Sequence, residues 1–342
     1  MLSMLLLQTA LTIAVGGAPT AIEYLPLTLA HAEERFAGKE LSITLRRERG
    51  EVSAAEALAK GNVDLAATTL EAALRHGAFQ GKPPKLVFAF TAVPPVALVI
   101  ANQSRPLIRR IEELAGKTVG VPAVGSAEAH LLFGLLARHH LSPAQVRVIS
   151  LGDRGLAQSL ERGEIQAGVL AEPWASRLLA TGRFALLIDL RERRAAQAEL
   201  GGPTVHAALF IRHDRAASER ARLVPLLRAL LRSGQSIAER SPEERAARLP
   251  SVAHPREEFL PKLAALKGVL LSDGVASEEA IKQSLELLAG APPLPSHGIR
   301  DWGFGIGISR FPTPDSRERV TSELLFLDPL RQALKSVKGE EK

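Results

Sequence analysis

The chain has no cysteine among its 342 residues. That excludes disulfides, thiolate metal sites, cysteine nucleophiles and a lipid-modified N-terminal cysteine. Aromatic residues make up only 4% of the sequence, so the core must be built from Leu, Ala, Val and Ile. Repeated Ala-rich windows favour helices. Long apolar runs are scarce as well. The opening MLSMLLLQTALTIAVGGA is too short and too interrupted to span a bilayer. It also lacks the positively charged start of an export signal. Leu11–Val15 reads as a first strand running into Gly16-Gly17, and residues 1–10 read as the remnant of a leader.

Catalytic signatures are missing. No Gly-x-Ser-x-Gly elbow, no Walker phosphate loop and no His-Glu-x-x-His occurs. His139 and His140 are adjacent on an expected helix, so they point in different directions and make a poor metal pair. His130 lies one turn inside the same helix and reads as packing or surface. GFGIG at 303–307 follows no strand and opens no helix, so it is not a dinucleotide fingerprint. No catalytic residue, metal site or cofactor is expected.

What is present is a soluble globular balance, 46% hydrophobic and 23% charged, with a net charge of +6. The densest basic runs, Arg46-Arg47-Glu48-Arg49 and Arg191-Glu192-Arg193-Arg194, are short and mixed with Glu. They read as solvated surface, and no nucleic-acid partner is expected.

One stretch occurs twice. LAKGNVDLAAT at 58–68 is echoed by LERGEIQAGVL at 160–170, with a constant offset of 102 residues from Gly61 to Gly163. Each copy is a helix end, a glycine and a short apolar strand. Around these copies strands and helices alternate. Strands are expected at 11–15, 41–46, 63–68, 85–92, 96–102, 117–123, 147–151, 166–171, 184–190 and 205–212. Helices are expected at 20–35, 53–60, 69–77, 108–115, 127–140, 153–162 and 173–181. In the first, Pro26 is either a kink or the mark of a shorter start. From 216 to 289 the chain reads as helical, 291–315 as Pro/Gly-rich loop, and 316–337 as a last helix despite Pro329.

Strand–helix alternation argues for an α/β protein with doubly wound parallel sheets. The pattern restarts near residue 96, which argues for two lobes. The Pro/Gly-marked passages at Ala92–Val96 and Gly201–Val205 would join them. The first lobe is then discontinuous, 1–94 with 206–342, and the second is an insertion, 95–205.

Ligands of open parallel sheets bind beyond the carboxyl ends of the strands. Four such ends carry suggestive residues. Gly17, Ala18 and Pro19 follow the first strand, where small residues let a ligand approach backbone N–H groups. Thr68 and Thr69 offer two hydroxyls at a strand-to-helix turn. Gly125, Ser126 and Ala127 open a helix whose free N–H groups favour an anion. Glu172 and Trp174 flank Pro173 as an acceptor beside an aromatic plate. Each has a plainer reading: helix caps for the hydroxyls, a tight turn for the glycines, a first-turn acid and lobe packing. Their joint placement at strand ends, two in each lobe, is the stronger signal.

The block 114–182 resembles the solute-binding proteins of ABC importers in the nitrate/sulfonate/taurine/bicarbonate group, which includes thiamine-precursor binders. The matching elements are Leu-x-Gly-Lys-x-Val-Gly-Val at 114–121, Gly-Ser at 125–126, Gly-x-Ile at 163–165 and Glu-Pro-Trp at 172–174. Gly-Asn-Val-Asp at 61–64 fits in the first lobe. Gln166 departs from the pattern, which has Asp there. The resemblance implies a periplasmic-binding-protein fold of type II whose lobes close on a small solute. It further implies a monomer outside the cytoplasm, delivery to an ABC permease with its ATPase, and no catalysis. A small anion suits the helix start and threonines, and an aminopyrimidine suits Glu172 with Trp174. The alternative is an enzyme on the same fold, of the chorismate-dehydratase or thiamine-pyrimidine-synthase type. The missing cysteine speaks against the second of these.

Overall fold

The computed structural model describes residues 9–17, 21–33, 41–123, 126–247, 256–289 and 320–340. The chain forms two compact units, Met1–Val93 with Val205–Glu278 and Thr321–Lys342, and Pro94–Thr204 with Glu279–Val320. Along the chain the first unit supplies β1 (Thr9–Val15), α1 (Leu25–Ala32), β2 (Leu41–Arg47), α2 (Glu51–Ala59), β3 (Leu65–Thr69), α3 (Leu70–His76) and β4 (Lys85–Thr91). The second supplies β5 (Val96–Ala101), β6 (Thr118–Val121), α4 (Ala127–Arg138), β7 (Arg147–Ser150), α5 (Gly152–Glu161), β8 (Ala167–Ala171), α6 (Trp174–Ala180), β9 (Phe184–Asp189) and α7 (Arg193–Leu200). Back in the first unit come β10 (Ala207–Ile211), α8 (Arg220–Glu239), α9 (Pro242–Ala246) and α10 (Arg256–Val269). Two helices follow, α11 (Glu278–Ala289) and α12 (Asp328–Glu340).

Each unit holds a five-stranded sheet, in the orders β2-β1-β3-β10-β4 and β7-β6-β8-β5-β9. The two orders are one topology. In each sheet four strands run parallel, and one antiparallel strand is wedged between two of them: β10 between β3 and β4, β5 between β8 and β9. The sheets are therefore mixed, where alternation alone suggested parallel. The reason is connectivity. β5 and β10 are the strands by which the chain enters each unit from the other. No crossover helix of the same unit precedes them, so the rule that makes βαβ strands parallel does not apply.

The repeated stretch is repeated structure. Gly61 and Gly163 end α2 and α5 with φ of 72° and 71°, a left-handed conformation that glycine adopts without penalty. The next N–H groups turn back identically, Asn62 to Ala57 O at 3.0 Å and Glu164 to Ser159 O at 2.9 Å. The departure at Gln166 also resolves. Asp64 Oδ2 accepts from the Thr12 N–H at 2.8 Å, and Gln166 Oε1 accepts from the Thr118 N–H at 3.0 Å. The position needs an acceptor that ties the third strand to the first, and either side chain supplies one.

The cores match the composition. In the first unit Leu11, Ile13, Leu65, Phe88 and Leu209 pack with Leu226, Leu227 and Leu230 of α8 and with Leu330 and Ala333 of α12. In the second, Val99, Leu156, Leu160, Ile165 and Leu170 pack with Leu178. Each fully buried side chain of this kind contributes about 1.5–3 kcal/mol.

Several local expectations shift. Pro26 sits in the first turn of α1, so it marks a shorter start, where its missing N–H costs nothing. Residues 108–115 hold only a 3-10 turn, Ile111–Leu114. The mixed run at 191–194 leads into α7, with Glu192 as cap accepting from Ala195 N and Gly201 closing it at φ 81°. Pro329 likewise lies in the first turn of α12. The expected lobe boundary moves too. Residues 279–289 belong to the second unit, not the first, which adds passages between units at Glu278–Glu279 and Val320–Thr321. Packing decides this. Leu287 fits against Gly134 of α4, and Gln283 Nε2 donates to Leu200 O at 2.6 Å.

Candidate functional site

Both sheets present their carboxyl edges as the sequence suggests, but the groups gathered there differ from those foreseen. In the first unit this edge is formed by the turn after β1, the start of α2, the ends of β3 and β4, and the first residue before β10. Gly16 and Gly17 follow β1, and Gly17 has φ 77°. Ala18 and Pro19 lie outside the described residues. Thr68 and Thr69 are buried at the end of β3. Thr69 caps α3, its Oγ1 accepting from Ala72 N at 3.2 Å. The Thr68 hydroxyl donates to the Glu51 carbonyl at 2.8 Å.

Glu51 is the residue the sequence reading missed. It opens α2, and its Oε2 accepts from the hydroxyl of Tyr24 at 2.5 Å and from the Thr69 N–H at 3.1 Å. Tyr24 is the chain's one tyrosine and is buried, with its ring edge-on to Phe90. Burial pushes the Glu51 carboxyl up from 4.5 to about 7, against the opposing hydrogen bond from Tyr24, and the nearby Glu23 adds to the rise. Burial also drives the Tyr24 phenol well above its ordinary range, and the charge of Glu51 adds to this. The uncommon residue type was the available signal: a lone tyrosine in an aromatic-poor chain.

Two further groups lie on this edge. The His206 N–H donates to Thr91 O at 2.9 Å, and its carbonyl accepts from Leu70 N at 2.8 Å. Burial pushes its imidazole down to about 4, so it is neutral at pH 7. The Thr91 hydroxyl is buried and has no hydrogen-bond partner among the described residues.

In the second unit, Ser126 caps α4 and Ala127 is the first residue of that helix; the Ser126 Oγ accepts from Ala129 N at 3.3 Å. Gly125 lies outside the described residues. His130 is buried, with Nδ1 2.7 Å from Ser126 O, so it braces this helix start rather than facing solvent. Glu172 is buried but not open as an acceptor. Arg191 Nη1 donates to its Oε1 at 2.5 Å and Ser176 Oγ to the same oxygen at 2.9 Å. Asp189 completes the group, taking Arg191 Nε at 2.8 Å and Nη2 at 2.8 Å. The Asp189 hydrogen bond raises the Arg191 guanidinium further above its ordinary value, despite burial, and Glu172 adds to the effect. Burial pushes Asp189 up, but its bonds to Arg191 outweigh this and leave it below its ordinary value. Trp174 begins α6 and lies half-buried against the core of its unit, with the Arg177 guanidinium 5.2 Å from its ring centroid.

A groove of about 490 Å³ in the second unit, lined by Ile100, Asn102, Arg105, Arg109 and Leu186, lies at the opposite edge of the sheet and holds no candidate residue. Among the described residues no group of three or more His, Asp or Glu is placed to hold a metal ion.

Two α/β units with this shared strand order define the class: the fold of the periplasmic binding proteins. Solved structures of that fold match over most of the chain. A protein of Bordetella bronchiseptica RB50 superposes with a TM-score of 0.73 at 21% identity, covering 97% of this chain and 98% of that one. The nitrate-binding protein NrtA of Synechocystis PCC 6803 gives 0.64 at 12% identity, covering 96% and 89%. The alkanesulfonate-binding protein SsuA of Xanthomonas axonopodis pv. citri, bound to MOPS, gives 0.58 at 20% identity, covering 83% and 94%. No curated protein matches by sequence. The family model described as NMT1/THI5 like matches residues 21–245, and the chain belongs to that family.

Proposed function

We propose that this chain is the solute-binding component of an ABC importer. Its two units close on a small solute outside the cytoplasm and, as a monomer, deliver it to a membrane permease driven by an ATPase. The observation that carries the reading is the duplicated topology, one strand order in both sheets, with polar groups at the carboxyl ends of the strands. The nitrate- and alkanesulfonate-binding proteins of the same fold support it. Closure of such units is a population shift driven by ligand contacts to both.

Contacts from the first unit come from Gly17, Ala18, Pro19, Thr68 and Thr69, joined by Glu51. Contacts from the second come from Gly125, Ser126 and Ala127 at the start of α4, with Trp174 as a wall. The α4 start favours an anionic group. Glu172 holds Arg191 in place rather than meeting the solute directly. No helix among the described residues is long and apolar enough to cross a membrane.

The test is a thermal-shift panel of nitrate, bicarbonate, taurine, alkanesulfonates and aminopyrimidines, with chorismate as the enzymatic control. A bound solute at about 100 times its Kd should add roughly 2.7 kcal/mol of stability. A shift that Ser126→Ala or Trp174→Ala abolishes is the expected result. Consumption of chorismate, with no shift from the other compounds, would overturn the reading in favour of an enzyme.

A further inference from the structure

The carboxyl edge of the first sheet is built as an anion site is built. The Tyr24 hydroxyl and the Thr69 N–H converge on one oxygen, at 2.5 and 3.1 Å. Below them Gly16 and Gly17 leave room for close approach. A Cβ at Gly16 would lie 2.8 Å from Glu51 Cδ, and one at Gly17 would lie 3.1 Å from Glu51 Oε1. The space and the donors are therefore already filled by a planar carboxyl group from the chain itself. The nearby charged neighbour, Glu23, is of like sign, and His206 on the same edge is neutral at pH 7. A second, free anion would meet repulsion and no unused donor from this pair.

We infer that Tyr24, Thr69 and the Gly16-Gly17 turn form an oxyanion site whose built-in occupant is the Glu51 carboxyl group, which excludes small free oxyanions from this edge. Taken with the proposed solute-binding role, on which this part rests, the first unit offers a solute an acceptor. The group that fits there is an N–H or O–H donor.

The experiment empties the site. Glu51→Ala is titrated with sodium formate and acetate against sodium chloride at matched ionic strength, and melting is followed by circular dichroism. The variant should gain a saturable rise in melting temperature with formate or acetate that chloride does not give. Adding Tyr24→Phe should weaken that binding about tenfold, the loss of one charge-assisted hydrogen bond. Wild type and Glu51→Gln should show no such rise. Should Glu51→Ala be unfolded in chloride, formate should restore its folded signal. A folded variant indifferent to both formate and acetate overturns the inference, as does an unfolded one that formate does not rescue, or a wild-type protein with the same saturable shift in formate or acetate. These outcomes do not depend on the importer reading, whose failure would appear in the solute panel on wild type alone.

Discussion

The two units carry the same topology and bury a glutamate at the same edge of the sheet, yet they stabilise it in opposite ways. Glu172 of the second unit is paired with a cation, Arg191, which Asp189 holds in turn. Glu51 of the first unit meets only neutral donors, the Tyr24 hydroxyl and the Thr69 N–H. The two positions are not copies of each other: at the offset of 102 residues Glu51 corresponds to Asp153 and Glu172 to Leu70. At each, the neighbours decide whether the carboxylate stays charged.

That contrast is open to direct attack. The largest effect is expected at Arg191. Arg191→Ala leaves Glu172 buried without its cation, which should cost about 3–5 kcal/mol of unfolding free energy in a urea titration. Adding Glu172→Gln should recover part of the loss, because a neutral amide needs no counter-charge. Equal destabilisation by the single and double variants would mean that Arg191 acts through packing alone.

Next comes pH. The Glu51 carboxyl is raised from 4.5 to about 7 on folding. The folded protein therefore holds a proton that the unfolded chain has released between those values. The stability this gives is full below pH 4.5 and is lost as pH rises through 7, with an upper bound of about 3 kcal/mol. Glu51→Gln should remove that decline, read as the difference between variant and wild type from pH 4.5 to 8. His206 works in the other direction. Its imidazole is lowered from 6.5 to about 4, so its contribution is present above pH 6.5 and lost as pH falls through 4. His206→Gln should therefore steepen the decline that Glu51 produces. Parallel pH profiles for all three proteins would refute both assignments.

A smaller effect should split the two copies of the repeat. Gly61→Ala and Gly163→Ala both force a Cβ into left-handed backbone, at about 1–2 kcal/mol each. Gly61 should cost more. A Cβ there would lie 2.7 Å from Arg212 Nη1, whereas the nearest atom at Gly163 is Gln103 Nε2 at 3.6 Å. Equal melting temperatures for the two variants would show that Arg212 moves aside freely.

The smallest effect is at the departure from the family pattern. Gln166→Glu keeps the acceptor for the Thr118 N–H, so it should change stability by less than about 0.5 kcal/mol. Gln166→Leu removes the acceptor and should cost about 1–2 kcal/mol.

Much of this molecule was legible before any coordinates. The offset from Gly61 to Gly163 marked two copies of one α/β unit because a left-handed helix end followed by a buried strand has a strict local pattern. Alternation of strands and helices gave the class, and the Pro/Gly-marked passages located the return to the first unit. Thr69 and Ser126 stand at strand-to-helix turns as read, since capping is decided within three residues. The direction of β5 and β10 escaped the pattern because strand polarity depends on where the chain has come from. The place of α11 escaped it because an amphipathic helix fits any apolar surface of the right shape.

The site divides along the same line. Sequence alone determined which segments end at the carboxyl edges, because period and turn chemistry are local. Only the tertiary structure decided what those edges offer a ligand. It brought Tyr24 to Glu51 across 27 residues and Arg191 to Glu172 across 19, occupying one acceptor and leaving the other uncharged up to about neutral pH. The charge of a buried carboxylate is set by what surrounds it, and in this protein those surroundings are assembled from residues far apart in the chain.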